Sequence, residues 1–508
     1  MTNNSHVKGR RALALAGVIA LAGAGVLGSA VAANAAPDFG NIDDDATGSI
    51  IIHKHEYQTG TSVTANPDGT TSIPSAPVAG VTFTAYQLLQ NGTAVDLTDP
   101  AAWTTLSALS VNTACTAVTG GTGYTIGAQV GQGTTDASGL TTITPTNLSA
   151  YVVCETAAPA SVTSAAAPFI VTVPTPYQDG WVYNVNVYPK NSVTSISKSI
   201  SAQTGLGLGS AVAFPVTVRI PSTGGADFTS FDIVDTLDSR LTPTGVSSVT
   251  VGGTAVDPTY YTVTTSGQTV TVAFNIALPA VQTFLKANAL SSVVATFTGT
   301  VQSVGDGSIP NTATAYINAP GHATGTGITS NQVTTTWGDA TLLKTDSATT
   351  ATVLAGAVFE VYAAVTPYPA SATDCSTAVA TGSALSVGGQ TTFTSNDSGV
   401  VTIPGLFVSD SVNAAQNSTF RCYVVVETQA PAGFVTPDSS NNAHGIAVTA
   451  GANAADSYNA TVVNVQADVP DLPLTGANGQ IAMVIGGVGL LAVAGGLLIA
   501  RRRAGAKR

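Results

Sequence analysis

Short runs of alternating apolar and polar residues, closed off by Gly, Pro, Asn or Asp, recur along the body of this chain, with no sustained helical period outside the two ends. Alternation places residues two apart on one face of a strand, and such runs, punctuated by turns, predict β-sandwich modules. The expected fold is therefore all-β, a series of immunoglobulin-like sandwiches in an elongated rod. The ends obey other rules. Lys8, Arg10 and Arg11 precede the apolar stretch from Ala12 to Ala33, and Ala33-Asn34-Ala35 offers a small-x-small cleavage site. Residues 1–35 read as a secretory signal peptide, cleaved after Ala35 or Ala36 and excluded from the fold. At the other end, Ile481 to Ala500 is apolar and is followed by Arg501, Arg502, Arg503, Lys507 and Arg508. About 20 apolar residues suffice to cross a hydrocarbon core, and the basic cluster is retained on the cytoplasmic side. The chain would stall in the membrane with Leu472-Pro473-Leu474-Thr475-Gly476 presented just outside.

Between these ends lie roughly 430 residues, enough for about three domains. Charged residues make up only 9% of the chain, against about 25% in an average soluble domain. The net charge of −12 argues against nucleic acid or anionic lipid as partner. Scarcity makes the remaining charges informative. The lysines of the body are Lys54, Lys190, Lys198, Lys286 and Lys344, and its glutamates are Glu56, Glu155, Glu360 and Glu427.

Strand parity turns three of the lysines inward. Lys54 shares a face with Ile50 and Ile52, Lys198 lies between Ile196 and Ile200, and Lys344 shares a face with Leu342. Acids follow the same pattern: Glu155 goes with Tyr151 and Val153, Glu427 with Tyr423 and Val425, and Asp235 with Ile233 and Leu237. So do two asparagines, Asn311 ahead of Ala313, Ala315 and Ile317, and Asn464 after Val462. An isolated buried ammonium is costly, so it must lose its charge, find a partner or react. Buried ion pairs without a crosslink, or lysines acting as edge-strand gatekeepers, are the plainer alternatives. Lys190 differs. In Trp181-Val-Tyr-Asn-Val-Asn-Val-Tyr-Pro-Lys190, Trp181, Tyr183, Val185 and Val187 share one face, while Asn184, Asn186 and Lys190 share the other, so this lysine is expected to point outward. His53 and His55 flank Lys54 and are expected to face out as well.

The body contains a repeat. Gly80-Val-Thr-Phe-Thr-Ala-Tyr86 matches Gly356-Ala-Val-Phe-Glu-Val-Tyr362, and Asp136-Ala-Ser-Gly-Leu-Thr-Thr-Ile143 matches Asp397-Ser-Gly-Val-Val-Thr-Ile403. Tyr151-Val-Val-Cys-Glu-Thr-Ala-Ala-Pro159 matches Tyr423-Val-Val-Val-Glu-Thr-Gln-Ala-Pro431. The first and last modules (36–190 and 339–468) should share a fold, with an unlike module (191–338) between them and 469–508 forming the C-terminal signal. An even count of four cysteines in an exported chain favours disulfides. One bridge per repeat copy is the economical pairing, Cys115–Cys154 and Cys375–Cys422. Parity places both bridges off the face that carries the glutamates. No Cys-x-x-Cys pair or histidine cluster suggests a metal, and no cofactor or catalytic constellation is expected. Gly205-Leu-Gly-Leu-Gly209 lacks a following helix and a phosphate-binding lysine, and reads as a loop.

The Leu-Pro-x-Thr-Gly pentapeptide, apolar span and basic tail together resemble the cell-wall sorting signal of Gram-positive surface proteins. That resemblance implies that a sortase cuts between Thr475 and Gly476 and passes the Thr475 acyl group to an amine. The body resembles the subunits of sortase-assembled pilus shafts. Lys344-Thr-Asp346, Gly356-Ala-Val-Phe359 and Glu427-Thr-Gln-Ala-Pro-Ala-Gly-Phe434 are similar to the lysine strand, middle strand and "E-box" of the collagen-adhesin B-type sandwich. Lys198, Asp235-Thr-Leu-Asp238 and Asn311-Thr-Ala313 are similar to the isopeptide-forming domain of fimbrial backbones, and the stretch ending at Lys190 is similar to the pilin motif. The resemblance implies Lys344–Asn464 and Lys198–Asn311 isopeptides assisted by Glu427 and Asp235. Asn459 and Asn318 are the alternative acceptors, set aside on parity and motif position. In the first module Lys54 and Glu155 are present, and Asn191 is the acceptor candidate by position alone. The resemblance also implies a bond from Lys190 to Thr475 of the next copy. Expected partners are a pilus-specific and a housekeeping sortase, identical subunits, tip and base pilins, peptidoglycan, and host receptors or glycans. The competing expectation is a wall-anchored adhesin, or an ancillary tip or base pilin, displayed as single copies.

Overall fold

The structure is a computed structural model that describes residues 42–59, 63–178, 180–323, 325–370, 374–438, 441–466 and 477–505. The signal peptide and the Leu472–Gly476 pentapeptide lie outside the described residues.

In the first module, Ser49–His53 pairs in parallel with Asn184–Val187 and antiparallel with Leu140–Ile143. A second sheet orders Phe169–Val173, Ser149–Ala157 and Thr82–Gln90, with Tyr124–Thr134 also along Thr82–Gln90. Between them, Ile50, Ile52, Val81, Phe83, Tyr151 and Val153 form the core. The opposite parity of Ser149–Ala157 is not left to solvent: Ala150, Val152 and Cys154 bury with Leu88, Leu97, Ala102, Leu106 and Leu109 in a second core. Ala102 and Leu106 belong to a short helix, Pro100–Leu106, that the strand reading did not anticipate. Proline at its start and Asp99 accepting the Ala101 N–H at 2.9 Å begin the helix, but it is too short to show a helical period.

The middle module opposes two five-stranded sheets. One orders Ile196–Lys198, Ala211–Arg219, Ser292–Val301, Leu241–Val251 and Thr254–Ala255. The other orders Tyr261–Ser266, Thr269–Phe274, Phe231–Thr236, Ala313–Ile317 and Ile328–Thr329. A second unanticipated helix, Pro279–Ala287, buries Val281 and Leu285 against this core.

The last module repeats the first. Val333–Asp346 pairs antiparallel with Val400–Asp410 and in parallel with Ala460–Asn464, and the facing sheet holds Val358–Ala364, Phe420–Gln429 and Ala443–Thr449. The same bulge recurs in both copies, between Thr82 and Phe83 and between Val358 and Phe359, setting Phe83 opposite Glu155 and Phe359 opposite Glu427. The turn equivalent to Asp136 is Asn396, one place earlier than the sequence alignment put it: Gly139 N–H donates to the Asp136 carbonyl, and Gly399 N–H to that of Asn396.

Modules meet without linkers. The strand Lys190–Val193 pairs with the first module at His55 and Glu56, so the first module runs beyond the expected 190/191 boundary. The expected 338/339 boundary falls inside the continuous strand Val333–Asp346, whose Val333 and Trp337 pack in the middle core and whose Ala340 and Leu342 pack in the last. At the C-terminus, Ala477–Gly505 is helical, and its stretch Met483–Arg502, with mean hydropathy 2.3, is long and apolar enough to cross a membrane.

Candidate functional site: three buried amine, acid and amide clusters

The inward faces of the strands converge on three clusters. In the first module Lys54 and Asn191 are fully buried. The Lys54 amine lies 3.0 Å from Glu155 Oε2 and against Asn191 Oδ1, while Asn191 Nδ2 donates to Glu155 Oε1 at 3.0 Å. One carboxylate thus bridges the amine and the amide nitrogen. In the last module the Lys344 amine is 2.7 Å from Asn464 Oδ1 and 3.9 Å from Glu427 Oε2, and Asn464 Nδ2 donates to Glu427 Oε1 at 2.9 Å. The two clusters are built alike. Asn191 pairs with Glu56, two residues past Lys54, and Asn464 pairs with Asp346, two residues past Lys344, each on a parallel strand.

The middle cluster uses a different route to the same groups. Asp235 comes from the strand Phe231–Thr236 and Asn311 ends Ser308–Asn311. The Lys198 amine contacts Asp235 Oδ2, and Asn311 Nδ2 reaches the same oxygen at 3.4 Å. Phe214 and Phe297 face the amine, at 5.2 and 5.9 Å from their ring centres.

Burial sets the electrostatics. Desolvation lowers Lys54 and Lys198 to about 8, against the opposing pull of Glu155 and Asp235, and lowers Lys344 as well. Desolvation raises Asp235 and Glu427. The lowered amines and the raised Asp235 and Glu427 favour a neutral amine beside a protonated carboxyl; the Asn191 and Asn464 amides touch their amines directly, while Asn311 meets Lys198 through Asp235.

Lys190 has another environment. It is half-buried rather than fully exposed, because the segment 63–77 lies alongside it and Ser75 Oγ sits 3.5 Å from its amine. Desolvation lowers its pKa. Among the described lysines of the body it alone has no carboxylate partner, since Lys286 pairs with Asp227. The flanking histidines, which sequence parity placed outward, are half-covered as well. His53 Nε2 is 2.7 Å from Asn186 Oδ1, and His55 Nδ1 donates to the Ser75 carbonyl at 2.7 Å. Trp181 of the Lys190 stretch packs against Trp103, with ring centres 5.5 Å apart.

Disulfides join Cys115 to Cys154 and Cys375 to Cys422, and Cys154 and Cys422 bury outside the cores that hold the glutamates. No group of metal-ligating side chains occurs among the described residues. The arginines carry contacts that strand parity did not reveal. Arg219 of the middle module grips Glu56 of the first at 2.7 and 3.2 Å and also donates to the Val193 carbonyl. Their scarcity was the available signal, as it was for lysine.

Residues 45–192 match the family described as Gram-positive pilin subunit D1, N-terminal domain, residues 189–336 match the Sgo0707 N2 domain, and residues 464–504 match the LPXTG cell wall anchor motif. The chain is 39% identical to a fimbrial subunit type 2 of Actinomyces naeslundii, over 99% of this chain and 98% of that one. It is 33% identical to a fimbrial subunit type 1 of Actinomyces viscosus, over 97% of each. The full-length major pilin SpaD of Corynebacterium diphtheriae superposes with a TM-score of 0.65 at 26% identity, over 85% of this chain and all of that one. Tandem sandwiches with a wall-anchoring tail define a Gram-positive surface pilin. The chain belongs to the fimbrial subunit family, and it is a subunit of a cell-wall-anchored surface fimbrium.

Proposed function

We propose that this chain is the major shaft subunit of a covalently polymerised fimbrium, sealed internally by three isopeptide bonds and joined to its neighbours through Lys190 and Thr475. The observation that carries the reading is the sorting of the amines: three are buried against an acid and an asparagine, and one stands at a module junction without a carboxylate. In each cluster the neutral amine attacks the asparagine Cγ. The Nζ–Cγ bond forms, the Cγ–Nδ2 bond breaks, and the carboxyl carries the proton from the amine to the departing ammonia. Glu155, with one oxygen toward each nitrogen, has the geometry for that transfer. Held reactants gain effective molarities of ~10⁵–10⁸ M, so no external enzyme is required. The chain itself is a substrate rather than an enzyme.

Between subunits, a pilus-specific sortase would hold the Thr475 carbonyl as a thioester. The Lys190 amine displaces the thiolate to leave an amide, and repetition of a head-to-tail contact that never closes grows a filament. A housekeeping sortase would then attach the base to peptidoglycan, with tip and base pilins completing the fibre and host receptors or glycans as its targets. Replacing Lys190 with Ala tests the reading against a singly displayed adhesin. Loss of the high-mass ladder from wall extracts supports the shaft, and an undiminished ladder refutes it.

A further inference from the structure

In all three clusters the backbone of the reacting lysine is held on both sides, but by different means. Lys54 N–H donates to the Gly139 carbonyl at 2.8 Å, and its carbonyl accepts from Val78 at 2.9 Å. Lys344 repeats this with Gly399 and Leu354, at 2.8 and 2.9 Å. Lys198 has no such backbone neighbours. It ends a three-residue strand paired on one edge only, to Ala211–Arg219. On its free edge a side chain takes the place of the missing strand: Asn331 Oδ1 accepts the Lys198 N–H at 2.9 Å, and Asn331 Nδ2 donates to the Lys198 carbonyl at 3.0 Å.

The residue before it holds the chain just past the other reactant. Ser330 N–H donates to the Ala313 carbonyl at 2.8 Å, and Ser330 Oγ accepts the Ala313 N–H at 3.0 Å while donating to the Asn331 carbonyl at 2.8 Å. Ala313 lies two residues past Asn311, on the same inward face. The dipeptide therefore ties the lysine strand to the start of Ala313–Ile317, two residues past Asn311, through four hydrogen bonds to backbone, two at each end. We propose that Asn331 is a positioning residue for the Lys198–Asn311 bond, with Ser330–Asn331 acting as a template that keeps amine and amide carbon at reacting distance. The inference rests on the isopeptide reading above. Asn331 touches neither reacting atom, so its effect is on geometry: losing its amide frees the end of a short edge strand and lets the amine drift from the amide carbon. Displacements of about 1 Å at a reacting centre can cost 10²-fold in rate.

The test follows the full chain after a synthesis pulse and measures, by peptide mass, the fraction carrying the Lys198–Asn311 crosslink over time. The Lys344–Asn464 crosslink in the same molecules serves as an internal control. Asn331→Ala is expected to slow the first bond by about tenfold or more and leave the second unchanged. Asn331→Asp keeps an oxygen for the Lys198 N–H and should fall between Ala and wild type. A wild-type rate in Asn331→Ala, or equal slowing of both bonds, overturns the proposal. Should Asn331→Ala fail to fold, Asn331→Asp decides: selective slowing supports the template, and a wild-type rate overturns it. Absence of ammonia loss at this pair in the wild-type chain would instead refute the isopeptide reading, before any variant is compared.

Discussion

An amine buried at zero exposure, as in Lys54 and Lys344, is tolerable only because its neighbours are arranged around it. Glu427→Gln keeps the shape of the last cluster but cannot carry a proton. It should leave the variant one ammonia heavier than the mass of its own fully crosslinked chain, and a variant found at that crosslinked mass would remove the acid from the mechanism. Asp235→Ala leaves Lys198 buried without its partner and should cost about 3–5 kcal/mol, read as a lower unfolding midpoint in denaturant. A pH dependence follows where the bond cannot form. Burial lowers the folded Lys198 amine to about 8, against 10.5 when unfolded, and Asn311→Ala leaves that amine free to titrate. Between those values the unfolded state binds the extra proton, so stability rises with pH across that window and gains nothing further from this group above it. A melting temperature that falls from pH 8 to 10 would contradict the assignment of burial as the dominant influence. Much of this scale was legible in the sequence, because period-two parity alone turned Lys54, Lys198 and Lys344 to the core. Asn191 was harder to see: its role depends on a parallel pairing across 137 residues to the Lys54 strand, which no local pattern encodes. Asn331 carried no signal at all, being an exposed side chain that acts on backbone.

Among the elements, the parallel closing strands distinguish the first and last modules from the middle one. The repeat in the sequence, Gly80–Tyr86 against Gly356–Tyr362, located the paired strands correctly, while the turn at Asn396 shows how matching Asp136 to the like residue Asp397 shifts such an alignment by one place. The short helices Pro100–Leu106 and Pro279–Ala287 escaped notice because 7 and 9 residues are too few to reveal a period. The first of them belongs to an insertion that covers the outer face of the Ser149–Ala157 sheet, and Cys115–Cys154 pins it there. Replacing both cysteines with Ser should therefore lower stability by about 2–4 kcal/mol while leaving the Lys54–Asn191 crosslink intact, as intact mass would show. Simultaneous loss of that crosslink would mean that the two cores are not independent. The Gly205–Gly209 segment, read as a loop, is one, but it does structural work: Leu208 N–H donates to the Gly405 carbonyl at 2.6 Å, and Leu206 and Leu208 pack against the cores of both the middle and last modules. Gly207 passes so close to Ser386 that a Cβ there would sit 2.3 Å from its carbonyl oxygen, so only glycine admits this approach.

At the scale of the molecule, the two joints differ in kind. The middle and last modules share a strand and an apolar plug, whereas the first is fastened to the middle by a half-buried ion pair, Arg219–Glu56, close to Lys190. The wall-anchor motif and the apolar span behind it could be read from sequence, since both are local patterns. How the modules meet could not, because strands that run through a boundary carry no linker composition to mark it. The lysines divide between sealing a subunit and joining it to the next in this reading, and fibres harvested from the cell surface test that division most directly. Digested and analysed by mass spectrometry, they should yield a branched peptide in which the Lys190 side chain is amide-linked to the Thr475 carbonyl of another copy. Fibres whose subunits are joined at any other lysine, or that fall apart into single chains in denaturant, would contradict it.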